Sequence, residues 1–448
     1  MPEPSDRDRG PLRRLAELRP GEGRRVALAA LWFCCLLTCN YTLRPLRDAM
    51  GVAGGVDSLH WLFTATFVAM LAIVPLYGLA VAKLGRARLV RAVHHSFALQ
   101  LLVFWAVMQG VFGDGPALQL WTARVFFVWS SVFNLFVISL FWSVMTDLFS
   151  RTDAGRLFGL ISVGGTVGAI AGPSLGLGLS LGVGTAWLAM VGVALLELAL
   201  WCMRGVSRAE GEAPSRNDHE HDLDHEHEHD PERPLGGSPF AAIPELLRSP
   251  TLLGICAFIL LLTSCSTLLY FIQARIIALE FHDHDSRAAV FAAMDLGVNA
   301  LTLITQAMLT GRLIRRLGLA WVLAAIPLLC ALGFAALALA PVLAALIAVQ
   351  LLRRAGNYAL TRPAREVLYT AIDRPSRYKA KSFIDTVVYR GGDALTGWAF
   401  AGLEGLGLGL GAIATIGVPL AGLWAIVAWG LGRHSSAQRD SALIPDDP

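Results

Sequence analysis

Apolar residues in this chain fall into repeated runs of about 20, the length at which a helix crosses the hydrocarbon of a bilayer. Twelve such spans are expected, over residues 26–49, 58–83, 89–112, 117–148, 156–180, 184–203, 250–280, 287–314, 319–339, 342–370, 380–404 and 408–432. With 55% hydrophobic and only 16% charged residues, the chain is too apolar for a soluble globule. The one long stretch unable to cross a bilayer is 204–249, which contains NDHEHDLDHEHEHDPERP. It divides the chain into an N-terminal segment 1–25, a first bundle 26–203, the linker 204–249, a second bundle 250–432 and a tail 433–448. The expected fold is therefore an all-α polytopic membrane protein, twelve transmembrane helices in two six-helix bundles. The Arg-rich start runs straight into the first span, as an uncleaved first helix does.

Basic residues orient the spans. On one side lie the N-terminal arginines, Lys83, Arg86, Arg88, Arg91, Arg151, Arg156, Arg312, Arg315, Arg316, Arg374, Arg377, Lys379 and Lys381; the opposite loops hold almost none beyond Arg287. The positive-inside rule places both termini and the linker in the cytoplasm of an inner or plasma membrane, and the parity of twelve agrees. The halves also echo each other. GLAVAKLGRARL (78–89) follows span two and GRLIRRLGLA (311–320) follows span eight, each with a glycine, a basic residue five positions on and a second glycine two beyond it. A repeat related along the membrane normal fits a two-bundle transporter with its site near the midplane. The first motif, with Gly78, Lys83, Gly85, Arg86 and Arg88, resembles the loop signature of the major facilitator superfamily, although Ala82 stands where that family has an acidic residue.

A charge at the centre of a span costs on the order of 2.5–3.5 kcal/mol, so each needs a partner, an aqueous cavity or a ligand. NYTLRPLRDAMG (40–51) sets Asn40, Arg44 and Arg47 four and three apart, along one face of a helix. Arg353 and Arg354 fall near mid-membrane in span ten, with about 100° between them on a helix, so only one, Arg353, is expected to face a cavity. Local pairs are expected for Arg44–Asp48, Lys381–Asp385, Arg390–Asp393 and Arg362–Glu366. Pro45 is expected to disfavour helix at Arg44. That leaves Arg47, Arg353, Arg354, Arg124 and Arg275 without obvious partners, an arginine surplus suited to a phosphate-bearing anion. Helix-clamping roles are favoured for Arg124, Arg275 and Arg362, and helix packing for Asn134 in span four.

Four stretches then carry a closer resemblance: NYTLRPLRDAMG, NLFVISLFWSVMTDLF with RLFGLISVGGTVG, NYALTRPAREVLYTAID, and KAKSFIDTVVYRGGDA. In this order they resemble the ATP/ADP translocase (nucleotide transporter) family of plastids and intracellular bacteria, over most of the chain. The resemblance implies nucleotide exchange or ion symport by alternating access. It places Arg47 where that family has a transport-critical lysine and Asp147 where it has a glutamate. Lys381, Asp385 and Arg390 match its helix eleven, and Tyr358, Pro363 and Glu366 match its helix ten. Gly392 stands where the translocases carry a further lysine.

Arg47, Arg390, Arg353, Arg44 and Asn134 are accordingly the expected substrate contacts, with Asp147, Lys381, Asp385, Asp393 and Glu366 as switching ion pairs. The linker histidines His219, His221, His225, His227 and His229 alternate with carboxylates at spacings that define no closed metal site, so an acidic connector is expected. His282, Asp283, His284 and Asp285 read as a solvated external loop, and the glycines from Gly159 to Gly172 as places where helices cross closely. The seven cysteines, all in apolar segments and without CxxC spacing, read as inert. No P-loop, HExxH or GxSxG occurs, so neither an enzyme nor a cofactor is expected. The expected partners are a small anion and the bilayer, with no nucleic acid, and the chain is expected to be a monomer. A proton-coupled carrier of another organic anion or drug, dependent on Asp295 or Asp385, and a non-transporting receptor or scaffold with a sealed centre are the competing readings.

Overall fold

The computed structural model describes residues 22–83, 86–149, 151–211, 249–369, 380–381 and 383–443. Among them are twelve long helices and no strand: α1 (Glu22–Ala53), α2 (Leu59–Lys83), α3 (Arg86–Met108), α4 (Pro116–Leu148), α5 (Arg151–Gly182), α6 (Trp187–Gly211), α7 (Pro250–Glu280), α8 (His284–Met308), α9 (Thr310–Leu339), α10 (from Leu343 to Leu368), α11 (from Ile384 to Gly405) and α12 (Leu410–Leu443). Ten contain stretches apolar and long enough to cross a membrane; the other two, α10 and α11, hold Arg353, Arg354 and Arg390. The His-rich tract of the linker lies outside the described residues, and α6 reaches eight residues past the expected end of its span, to Gly211.

Local chemistry sets several boundaries. Proline occupies the first turn of α4 and α7, where its missing N–H costs nothing, and Ser249 Oγ accepts from Leu252 N at 3.3 Å to cap α7. Asp283 caps α8 by accepting from Ser286 N at 2.7 Å, a bond that holds its carboxyl below the usual range. Span eight ends at Met308 rather than 314: residues 310–317 form a separate helix of about two turns, joined to the next span at Gly318, whose φ of 76° strains any side-chain-bearing residue.

The two halves pack in the same pattern. α1 lies on α5 and α6, and α3 on α6; six helices later α7 lies on α11 and α12, and α9 on α12. Glycine permits the closest of these crossings. A Cβ at Gly164, Gly168 or Gly172 of α5 would collide with the α1 backbone at Ala30, Cys34 and Thr38, and Gly172 O accepts from Thr42 Oγ1 at 3.2 Å. Gly159, by contrast, has open space around it. One apolar cluster, around Trp32, Phe133 and Phe141, lies within the first half; the other, around Phe258, Phe334 and Trp424 of the second, also takes in Leu59, Leu62 and Phe127 from the first.

The halves meet through α2 against α11 and α5 against α8. Their contacts gather on the face away from the linker, here called the distal face. Arg275 Nη1 pairs with Asp57 at 2.7 Å, Thr185 N donates to Asp285 Oδ1 at 2.8 Å, and Trp398 Nε1 donates to Thr64 Oγ1 at 3.1 Å beside the His60 ring. Asp283 and Asp285 are thus structural, one capping a helix and one bridging the halves, and not merely solvated.

Candidate functional site

Between the halves lies a polar cavity of about 630 Å³, lined by α1, α2, α4, α7, α10 and α11. Its lining runs from mid-depth on α1 (Asn40, Arg44, Arg47, Asp48) to the linker-face ends of α10 and α11 (Arg365, Glu366, Lys381, Asp385), so it opens away from the distal seal. α1 delivers its residues as one continuous helix through the buried Pro45, so Arg44 is helical despite the proline that follows it, against the expectation.

α10 contributes most of the wall, and its backbone explains how. Two rows at four-residue spacing, Arg353–Asn357–Thr361–Arg365 and Arg354–Tyr358–Arg362–Glu366, all line the cavity. In a regular helix of about 3.6 residues per turn such rows would drift around the axis. Residues Asn357–Thr361 instead form a wider π turn, which winds the drift back. Pro363 lies just beyond and cannot donate to the carbonyl four residues earlier; Ala359 O accepts from Thr310 Oγ1 at 2.9 Å instead. A second π turn, Ile384–Val388, opens α11 and carries Asp385.

Both Arg353 and Arg354 line the cavity, correcting the expectation of one. Arg353 has no carboxylate partner among the described residues: Nη1 donates to Ser266 Oγ and Nη2 to Gln350 Oε1, each at 2.7 Å, and Gln350 donates in turn to Gln273. Arg354 Nη2 meets Asp295 Oδ1 at 2.5 Å, and Arg44 Nε approaches the other oxygen of Asp295 at 3.5 Å. Asp295, on α8 and only 2% exposed, thus ties an arginine from each half.

The remaining ion pairs also revise the sequence reading. Arg47 Nη1 pairs with its chain neighbour Asp48 at 3.0 Å and lies 4.0 Å from the Phe127 ring centroid, while Tyr270 Oη donates to the same Asp48 oxygen at 3.0 Å. Lys381 Nζ pairs with Glu366 at 2.8 Å across the cavity mouth, not with Asp385, whose nearest cation is Arg365 at 3.8 Å. Arg362 lies 4.6 Å from the Tyr358 ring and makes no ion pair with Glu366. Lys381 thus meets a carboxylate on the neighbouring α10 before the one four residues along, and Arg47 one on its own chain neighbour, while Arg362 rests on an aromatic ring. Arg390–Asp393, at 3.5 Å, forms as expected, with Thr267 Oγ1 donating to Asp393 at 2.6 Å.

The expected surplus of individually unpaired arginines is corrected accordingly. Arg47 and Arg354 are paired, Arg275 binds Asp57 and Glu404 in the distal seal, and Arg124 donates to Gly54 O and Ser58 Oγ, clamping the turn between α1 and α2. What survives is a surplus of the whole site. Eight cationic side chains line the cavity against four lining carboxylates and Asp295 behind them, an excess of three positive charges. Several polar atoms around it have no hydrogen-bond partner among the described residues: Arg47 Nε, Asn134 Oδ1, Asn357 Oδ1, Thr361 Oγ1 and Arg365 Nε. Buried polar atoms left in this way are where a bound molecule or ordered water finds its contacts. Asn134 thus faces the cavity and not a packed helix.

Two expected groups lie elsewhere. Asp147 sits exposed near the linker-face end of α4, outside the lining. Gly78 and Lys83 fall in the last turns of α2, Arg86 and Arg88 open α3, and Gly85 lies outside the described residues. Tyr270, Tyr389, Ser130, Ser131, Ser266 and Thr267 line the cavity but were missed. Spacings of three and four within spans four and seven could have grouped the hydroxyls.

Comparison with known proteins adds three findings. The Major Facilitator Superfamily matches residues 27–365. The "ADP,ATP carrier protein 1" of Chlamydia muridarum (strain MoPn / Nigg) is 22% identical over 443 residues, covering 83% of this chain and 80% of its own; that of Chlamydia trachomatis serovar D is 23% identical over the same shares. Among solved structures, the nucleoside transporter NupG aligns at TM-score 0.56 and 14% identity, over 92% of this chain and 98% of its own. The POT family transporter PepTSo aligns at 0.62 and 14%, over 93% and 99%, and a bacterial homologue of the iron transporter ferroportin, in an inward-facing state, at 0.61 and 14%, over 95% and 100%. At such identities the structures speak for the fold alone.

Proposed function

Since the chain belongs to the Major Facilitator Superfamily, whose fold it shares as an integral membrane protein, we propose that its cavity carries a nucleotide or similar phosphorylated anion by alternating access. The excess of three positive charges in the cavity supports this reading most directly. Guanidinium groups bind phosphate oxygens in pairs, and Arg353 and Arg362, which have no carboxylate partner among the described residues, are the phosphate contacts with the least to give up. Arg44, Arg47 and Arg390 assist by exchanging their present partners for the anion, and Asn134 supplies a neutral contact. Asp295, Asp385, Asp393, Glu366 and Lys381 form the pairs that rearrange as the halves rock. The distant kinship with proteins named ADP,ATP carriers favours a nucleotide within this class. The linker face is taken as cytoplasmic from the positive-inside rule, which makes the present conformation open to the cytoplasm.

Equilibrium binding of ATP, ADP and inorganic phosphate to the detergent-purified protein tests the substrate class. Saturable binding of at least one, weakened by Arg353→Ala, is expected; a folded protein that binds none removes the claim. A second reading, a proton-coupled carrier of another organic anion, draws on Asp295 bridging Arg44 and Arg354. It predicts acid-driven uptake into proteoliposomes that Asp295→Asn abolishes. The polar cavity counts against a non-transporting scaffold with a sealed centre.

A further inference from the structure

On the first half, away from the cavity, α3 and α6 turn an ion pair outward. His95 Nδ1 lies 2.9 Å from Glu197 Oε1, and the two side chains remain 51% and 47% exposed. Neither lines the cavity. Both lie at hydrocarbon depth. Glu197 is ten residues into the span Trp187–Arg208, about 15 Å at 1.5 Å per residue, and His95 is seven residues into Arg88–Met108. Leu99, Leu198 and Trp201 are exposed around them, and exposed Arg91 lies one turn from His95 toward the linker face.

Ionisable side chains inside spans ordinarily face a bundle interior or a water-filled cavity. This pair faces the lipid, where no water completes its hydrogen bonds. Glu197 Oε2 and His95 Nε2 have no partner among the described residues. A histidine–carboxyl pair without net charge, the form a low dielectric favours, leaves one N–H to donate at Nε2 and one oxygen to accept at Oε2, whichever group holds the shared proton. Donor and acceptor side by side make the patch complementary to itself. A two-fold axis along the membrane normal would set each donor against the other copy's acceptor, as a closed two-fold interface requires. Two copies inserted with the same topology have that symmetry open to them.

We propose that the α3–α6 face is the contact surface of a parallel two-fold dimer, in which His95 of each copy bonds Glu197 of the other and the leucines and Trp201 pack around them. This departs from the monomer expected from sequence and is independent of what the cavity carries.

Single-molecule photobleaching of the fluorescently tagged full chain tests it, in liposomes at falling protein-to-lipid ratio. Wild type is expected to show two-step bleaching above random co-occupancy. His95→Leu and Glu197→Leu, both apolar and compatible with lipid, should weaken dimerisation about tenfold or more, while Glu197→Gln, which keeps a donor and an acceptor, should weaken it less. Monodisperse elution in detergent would establish that the variants fold. A wild-type chain that is monomeric at every ratio overturns the proposal. So does a double leucine variant that dimerises as tightly as wild type.

Discussion

In the first half, the cavity wall is built from α1 and α4, with Arg44 and Arg47 beside the neutral Ser130, Ser131 and Asn134. In the second half, α10 and α11 present Arg353, Arg354, Arg362, Arg365, Lys381 and Arg390. The same helix-pairing pattern therefore carries two unlike linings: one mostly hydroxyl and amide, one strongly cationic. Packing is a property of the repeated apolar faces, whereas the lining answers to a ligand that need not be symmetric. We read the second half as the wall that receives the charged end of the substrate, with Asn134, the serines and Phe63 left for its uncharged part.

Three substitutions would sharpen or break this contrast. The largest effect is expected from Arg354→Ala, because it leaves Asp295, 2% exposed, with only the 3.5 Å contact to Arg44. Breaking a buried pair from one side costs about 3–5 kcal/mol, and the surviving contact should hold the loss near the lower figure. The unfolding midpoint in detergent reads it, and an unchanged midpoint would show that Asp295 does not depend on the second half's arginine.

Next comes Arg353→Ala against Arg47→Ala, compared by anion affinity. Charge-assisted hydrogen bonds are worth about 1.5–3 kcal/mol, so Arg353→Ala should weaken phosphate or nucleotide binding about tenfold to a hundredfold. The charge of Arg47 is already countered by Asp48 at 3.0 Å, whereas Arg353 meets only neutral oxygens, so the loss of Arg47 should cost less. Equal losses would dissolve the distinction between the halves.

The smallest effect concerns the distal seal. Arg275 joins Glu404 of its own half to Asp57 of the other, but Asp57 is 86% exposed. Solvent screening limits such a pair to under about 1 kcal/mol. Arg275→Ala should raise the distally open population about fivefold or less, seen as lengthened distances between spin labels on the two sets of distal loops. No lengthening at all would assign the seal to Trp398, His60 and the α5–α8 contact instead.

Long apolar runs mark ten of the twelve helices because lipid demands about 20 apolar residues whatever the tertiary fold; α10 and α11 were legible as shorter runs interrupted by Arg353, Arg354 and Arg390. The arginines were visible for the same reason: each contradicts its surroundings. Their partners were not. Arg354 and Asp295 are 59 residues apart, and Arg275 and Glu404 are 129 apart. No spacing rule along one helix reaches across such separations. The orientation of Arg353 and Arg354 was misjudged for a different cause: they stand about 100° apart on a regular stretch of α10, but the cavity spans both sides of that helix, and the two side chains reach Ser266 of α7 and Asp295 of α8.

The three surplus charges also bear on turnover. A carrier rocking between its two open forms must narrow its centre and shed water there, and unneutralised charge is costly to dehydrate. An unloaded molecule would therefore cross this barrier reluctantly, while one holding an anion of matching charge would cross it readily. In such a machine the return stroke waits for cargo, and one-for-one exchange would follow from electrostatics without any dedicated latch.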